Sequence, residues 1–355
     1  MSKLQVSGKI LATVFLLAFA LRLISLNQPL RPDEAQTAQL ASSHSFVQLS
    51  TNVSASGFNP PLYNLLLKAW INVAGVSEIA LRFPSITLSL LTGWVVYLIG
   101  RELKDKKIGL YASIFFLFNP LVVYYSQEVS ANMTLTFLMT TVFFYILRIH
   151  NKKNKHKTRD IILANTFIGL SILTNYGSIF FILPIYLYTA FKKDFRKIIL
   201  FLPGLIVSFF ILLPLLTKQF AYSKGAFSIF SDIVTLAKTN LFSLILIPVK
   251  FTLGNISFEP KPLYYTVAFF WAAFIFYIAL RKIKHYSFLF YMFITPIALG
   301  FFFSFYKPIF QYQQFVFALP FLSVLIALGS QNRPQRIRIL LGFFFFSCAY
   351  LLNFL

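Results

Sequence analysis

Long apolar runs alternate with short polar breaks along almost the whole chain. Runs of about 17 to 25 residues, the length a helix needs to cross a bilayer core, recur near 10–27, 80–100, 108–126, 132–149, 160–175, 177–191, 198–216, 263–280, 286–305, 315–330 and 339–355. Their length predicts helices and not barrel strands, about eleven crossings in all. Two polar stretches are large enough to build a site, 28–79 and 217–262.

In the first stretch, Leu62, Leu65, Leu66, Ala69 and Trp70 share a helical face, while Asn64, Lys68 and Asn72 share another. Pro60 and Pro61 suit a helix start, so 59–74 is expected to lie as a helix along the membrane surface. In the second stretch, 241–258 is apolar but carries Lys250 and is flanked by Pro248 and Gly254, which predicts an interfacial or re-entrant segment. No internal repeat, low-complexity tract or soluble domain is visible. The expectation is one all-α polytopic membrane domain over 1–355, with a long first outer loop and no soluble C-terminal domain.

Composition agrees with the pattern. Of 355 residues 58% are hydrophobic and 12% charged, about half the charged fraction of a soluble domain, and the mean hydropathy is +0.73. A formal charge of +22 would point to nucleic acid on a soluble surface, but these charges lie in short loops between apolar runs, so no nucleic-acid partner is expected. Cys348 is the single cysteine, which excludes a disulfide framework and a cysteine-based metal site. Lys3 and Lys9 precede an apolar run in which Ala18-Phe19-Ala20 resembles a cleavage site; the run continues through Leu21-Arg22-Leu23-Ile24, so an uncleaved first span is preferred.

Charge also sets an orientation. Twenty-two of the 32 Lys and Arg fall on the side of the N-terminus, which predicts a cytoplasmic N-terminus in the plasma membrane. Six of the ten acids, Asp33, Glu34, Glu78, Glu128, Asp232 and Glu259, fall on the other side. Carboxylate chemistry is therefore expected at the outer face, where nucleotide-activated donors are scarce.

The stretch from Arg31 to Tyr63 concentrates the candidate chemistry. Asp33 with Gln36 reads as a helix-capping box, and a carboxylate fixed at a helix start near the membrane plane is also placed to accept a proton from a bound hydroxyl. Glu128, in Asn119-Pro120-Leu121-Val122-Val123-Tyr124-Tyr125-Ser126-Gln127-Glu128, reads either as a solvated loop acid or as a partner on the same face as Asp33. Tyr124 and Tyr125 before it suit an interfacial aromatic belt. Arg82 reads either as a snorkelling arginine or as a bidentate phosphate contact. The acids are scattered without a His cluster, so a divalent metal is neither indicated nor excluded, and no cofactor is expected.

Together, Asp33-Glu34-Ala35, Pro60-Pro61-Leu62-Tyr63, Leu81-Arg82-Phe83-Pro84-Ser85, Tyr125-Ser126-Gln127-Glu128 and the weaker stretch from Tyr306 to Pro320 resemble the GT-C glycosyltransferases that use polyprenyl-phosphate sugars. This superfamily includes protein O-mannosyltransferases and lipid A aminoarabinose transferases. The resemblance implies that Asp33 is the catalytic base, with Glu34 and Glu128 shaping the site. It implies a dolichyl- or undecaprenyl-phosphate sugar as donor and a hydroxyl on protein, lipid or glycan as acceptor. Arg31, Asn59, Tyr63, Arg82, Tyr125, Gln127, Lys250, Lys261, Lys307 and Gln314 are the substrate-binding candidates. Relatives often carry an arginine after Ser-Gln-Glu, where Val129, Ser130 and Ala131 stand here. A His before Tyr is replaced by Asn175, and an Arg-Tyr pair by Gln314-Phe315. A lipid-sugar transporter or a non-catalytic relative are the competing readings; the first calls for midplane charges and broken helices repeated in two halves, which the sequence lacks.

Overall fold

The computed structural model describes residues 8–24, 26–151, 154–234, 241–305 and 310–331, with 341, 342, 344, 345, 347 and 350; side chains of 223–234 and 241–242 are outside this description. Among the described residues there is no strand. The helices are α1 (Gly8–Leu23), α2 (Pro32–Ser43), α3 (Phe46–Gln48), α4 (Ser54–Ser56), α5 (Leu62–Ala74), α6 (Glu78–Leu103), α7 (Lys106–Leu117), α8 (Pro120–Ser126) and α9 (Ala131–His150). They continue as α10 (Lys157–Thr174), α11 (Ile179–Phe191), α12 (Phe195–Val234), α13 (Leu241–Leu253), α14 (Lys261–Leu280), α15 (Ser287–Phe303) and α16 (Leu319–Gly329). The chain is an all-helical integral membrane protein.

All eleven residues of α16 are buried, and this helix packs against α7, α14 and α15. Around it α6 crosses α7 and α9, and α9 packs on α10, which packs on α12. The α6–α7 crossing is close because glycines meet there: a Cβ on Gly100 would stand 2.7 Å from the Gly109 Cα.

Ten of the eleven expected crossings coincide with helices; the eleventh, 339–355, lies largely outside the described residues, as does Cys348. Among the described residues five helical segments are long and apolar enough to cross a bilayer, Glu78–Leu103, Ala131–His150, Phe195–Tyr222, Lys261–Leu280 and Tyr312–Gly329. The expected span 108–126 is not one straight helix. It breaks at Phe118-Asn119 into α7 and α8, which meet at 63° and make a sixth crossing if counted together. Asn119 causes the break: its side chain accepts from the backbone N–H groups of Leu121 and Val122, and Pro120 at the first helical position restarts the chain.

The surface helix of the first loop begins at Leu62, three residues later than expected. Phe58 occupies the left-handed region (φ 51°) and Pro61 stands at the cap. Its packed side is a different one from the apolar face read as lying on the membrane surface, of which Leu66 and Ala69 are exposed. Leu67 and Ile71 pack with Ala38, Ala41, Leu81 and Val129, while Leu66 and Val73 are exposed. The helix is apolar on two sides, so periodicity alone did not single out the packed one.

Candidate active site

Polar side chains of Arg31, Glu34, Arg82 and Gln127 tie the start of the first loop to the bundle. Helix α2 opens with Arg31 at the N-cap and Pro32 at the first helical position, which places Glu34, not Gln36, at the third. The expected Asp33–Gln36 box is therefore replaced: the Glu34 carboxylate reaches back to the Arg31 backbone N–H, at 3.0 Å. Glu34 is 1% exposed, and its remaining capacity is filled too. Oε1 accepts from Arg82 Nε (3.2 Å) and the Val129 N–H (2.9 Å), and Oε2 from Arg82 Nη2 (2.9 Å) and Arg31 Nε (3.3 Å). Burial would raise this carboxyl, but the bonds from Arg82, Arg31 and Val129 outweigh it and hold the pKa at about 2.

Arg82, 5% exposed, is equally committed. Besides Glu34 it donates to the carbonyls of Leu26 and Gln28, both at 2.8 Å, and of Pro29 at 3.3 Å. Its guanidinium thus holds the turn between α1 and α2. Gln127 does similar work, with Nε2 donating to the Arg22 and Ile24 carbonyls at 3.1 and 2.7 Å.

Glu128 contrasts with Glu34. It is 6% exposed, its Oε1 lies 3.4 Å from Arg31 Nη2, and its Oε2 is buried without a hydrogen-bond partner. Desolvation pushes its pKa up to about 7; Arg31 opposes this, and Asp33 and Glu34 add to it. Arg31 itself lies 4.7 Å over the Tyr124 ring and donates to the Tyr124 hydroxyl. Burial would lower Arg31, but Glu128, Tyr124 and Glu34 leave its pKa raised.

Asp33 stands one residue before Glu34 on the exposed side of α2. Its carboxylate makes no hydrogen bond or ion pair among the described residues; only its backbone carbonyl is engaged, by Thr37 Oγ1. It is close enough to act electrostatically on both Glu128 and Tyr124. A free carboxylate beside a saturated one can accept a proton that its neighbour cannot.

A second group reaches this end of the bundle from 250–313. The Asn119 side chain donates to the Phe251 carbonyl at 2.8 Å, and Gly254 (φ 67°) lies so near α8 that a Cβ there would stand 2.8 Å from Pro120 Cβ. This packing sets Lys250 on the side of Tyr124 and Tyr125. Asn255 Oδ1 accepts from Lys250 Nζ (3.3 Å) and from the Tyr312 hydroxyl (3.0 Å). Lys250 has no carboxylate partner among the described residues and lies 5.5 Å over the Tyr312 ring. Tyr312 acts electrostatically on both Tyr124 and Tyr125, and the Tyr125 hydroxyl is 3.5 Å from Gln313 Oε1.

The sequence-predicted residues therefore divide. Asp33, Glu34, Glu128, Arg31, Arg82 and Tyr125 come together, Lys250 approaches from the facing side, and Tyr63 lies near enough to feel Glu128 and Glu34, its hydroxyl pKa raised chiefly by burial. Asn59 is exposed and bonds to the Gly57 carbonyl, Lys261 pairs with Glu259 at 2.9 Å at the start of α14, and Gln314 is exposed; none contacts the cluster. Lys307 lies outside the described residues. Tyr124, Asn255 and Tyr312 were not among the predicted site residues. Tyr124 was visible as half of a Tyr-Tyr pair before Ser-Gln-Glu, but the aromatic-belt reading absorbed it. Among the described residues no three His, Cys, Asp or Glu form a metal-binding group.

Comparison with known proteins supports the resemblance read from the sequence. Residues 59–217 match the family of dolichyl-phosphate-mannose-protein mannosyltransferases. The structure of ArnT from Cupriavidus metallidurans bound to undecaprenyl phosphate superposes with a TM-score of 0.68 at 17% identity, covering 94% of this chain and 62% of that one. Its apo form gives 0.63 at 16% identity, covering 93% and 60%. The archaeal oligosaccharyltransferase AglB from Archaeoglobus fulgidus, in complex with an inhibitory peptide and a dolichol-phosphate, gives 0.57 at 14%, covering 97% and 55%. The chain thus spans about 60% of the ArnT structures and about half of AglB. No curated protein sequence matches it significantly.

Proposed function

From the premise that this chain has the membrane fold of the GT-C glycosyltransferases and matches one of their families over residues 59–217, we propose that it transfers a sugar from a polyprenyl phosphate to a hydroxyl acceptor. The observation that carries this reading is the division of labour between adjacent carboxylates. Glu34 is saturated by five hydrogen bonds, and Asp33 beside it is exposed and, among the described residues, unpaired.

In this reading Asp33 takes the proton of the acceptor hydroxyl as its oxygen attacks the anomeric carbon. The bond from that carbon to the phosphate oxygen breaks, and polyprenyl phosphate leaves with the electron pair. Departure of a phosphate requires stabilisation of charge more than protonation. Arg31 and Lys250 are the cations in position for it, since Arg82 is spent on Glu34 and three carbonyls. One displacement inverts the anomeric centre. The charge asymmetry of the loops supports a cytoplasmic N-terminus and a site at the outer face of the plasma membrane.

The test is turnover by the purified chain. Incubation with a polyprenyl-phosphate sugar and a cell-envelope acceptor fraction should give one free polyprenyl phosphate per new glycosidic bond, with inverted configuration by NMR. Movement of the lipid-linked sugar across vesicles without any glycosidic product would instead support a transporter.

A further inference from the structure

Among the described residues Arg31 is the one cation shared by the saturated and the unsaturated carboxylate. It lies 3.3 Å from Glu34 and 3.4 Å from Glu128, and its side chain is 35% exposed where theirs are 0% and 8%. Losing the Arg31 guanidinium would cost these two acids very different amounts. Glu34 keeps Arg82 and the N–H groups of Arg31 and Val129. Glu128 loses the ion pair it has, with its other oxygen already unpartnered.

Among the described residues nothing else around Glu128 can replace that charge. From α2 it faces Asp33 and Glu34, both acids, and from α5 Tyr63. From α8 it faces Tyr124 and Tyr125, with Tyr312 beyond them, all phenols. From α6, Arg82 is turned to Glu34, and Ser85 donates to the Glu128 carbonyl, not to its carboxylate. The three carboxylates outnumber the two guanidiniums paired with them by one; Lys250, which would offset that excess, stands on the facing side against Asn255 and the Tyr312 ring and pairs with none of the three among the described residues.

We propose that Arg31 swings from Glu128 to the phosphate of an incoming lipid phosphodiester, and that Glu128 then takes one proton from solvent, so that anion binding is coupled to proton uptake. The proton balances the added negative charge, and the cluster ends with the charge it began with. A buried carboxyl that has lost its counter-ion is held neutral by the cost of desolvating its charge. This inference rests on the reading that a lipid phosphate binds at this site, and the experiment separates the two.

The full chain in detergent is titrated calorimetrically with a short-chain prenyl methyl phosphodiester, in two buffers of different ionisation enthalpy. A phosphodiester keeps one charge throughout, so it cannot itself supply or take the proton. At pH 8 the heats should differ as for uptake approaching one proton per lipid, and at pH 6 the uptake should fall toward zero. Glu128→Gln, checked for native-like thermal unfolding, should bind the diester with no uptake. Binding without uptake in the native chain, or equal uptake in Glu128→Gln, overturns the coupling and leaves the lipid-phosphate site standing. Failure of the native chain to bind the diester overturns both.

Discussion

Arg82 and Glu34, 48 residues apart, meet through two bonds of 3.2 and 2.9 Å, and together they pin the first loop to α6. Both side chains are nearly fully buried, so neither can be lost without stranding the other. Glu34→Ala is expected to cost about 3–5 kcal/mol, the range for breaking a buried pair by removing one partner. Arg82→Lys should also destabilise, because an ammonium cannot span both Glu34 oxygens and three carbonyls. Thermal unfolding in detergent reads both, and pairing Glu34→Ala with Arg82→Met should recover part of the loss.

The same pair sets a response to acid. The folded pKa of Glu34, about 2, lies below the ordinary carboxyl value of 4.5. Its stabilisation is complete above 4.5 and is lost as pH falls from there through 2. Between pH 5 and 2 the native chain should lose stability more steeply than Glu34→Gln.

Glu128 has the opposite sign. Its folded pKa, about 7, lies above the ordinary 4.5, so ionising it costs stability as pH rises between those values, and the full cost is present above 7. Glu128→Gln should match the native chain below pH 4.5 and exceed it in unfolding temperature above pH 7. An unchanged difference across that range would contradict the buried, unpartnered geometry of Oε2.

Among the described residues Lys250 holds only neutral partners, Asn255 and the Tyr312 ring, which leaves its charge to meet a phosphate. Loss of one charge-assisted contact is worth about 1.5–3 kcal/mol, so Lys250→Gln should raise KM for the lipid donor about 10-fold or more. Lys261→Gln, removed from the cluster and paired with Glu259, should leave it unchanged. Steady-state kinetics with varied donor distinguishes them.

Much of this was legible in the sequence because it is local. Apolar runs marked the helices, and Pro32 at the first position of α2 was the signal that Arg31, not Asp33, is the cap. Asn119-Pro120 likewise announced the break between α7 and α8, but an apolar window averaged across it. What was not legible is long-range pairing. Nothing in Leu81-Arg82-Phe83 tells a phosphate contact from a structural arginine; burial beside Glu34 and three loop carbonyls does. The link from Asn119 to Phe251 spans 132 residues, and without it Lys250 and Tyr312 could not be tied to Asp33. Adjacent acids also look alike in sequence, and only the helix geometry turns Glu34 inward and leaves Asp33 outside.

The central claim is that Asp33 is the base, and the most direct measurement is sugar transfer by Asp33→Asn. The substitution keeps shape and removes the basic carboxylate, and among the described residues Asp33 makes no side-chain bond whose loss would unfold α2. With unfolding temperature unchanged, transfer from a polyprenyl-phosphate sugar should fall by about 10²–10⁴-fold, the contribution of a positioned general base. Transfer at the native rate by the folded Asp33→Asn chain would contradict the account.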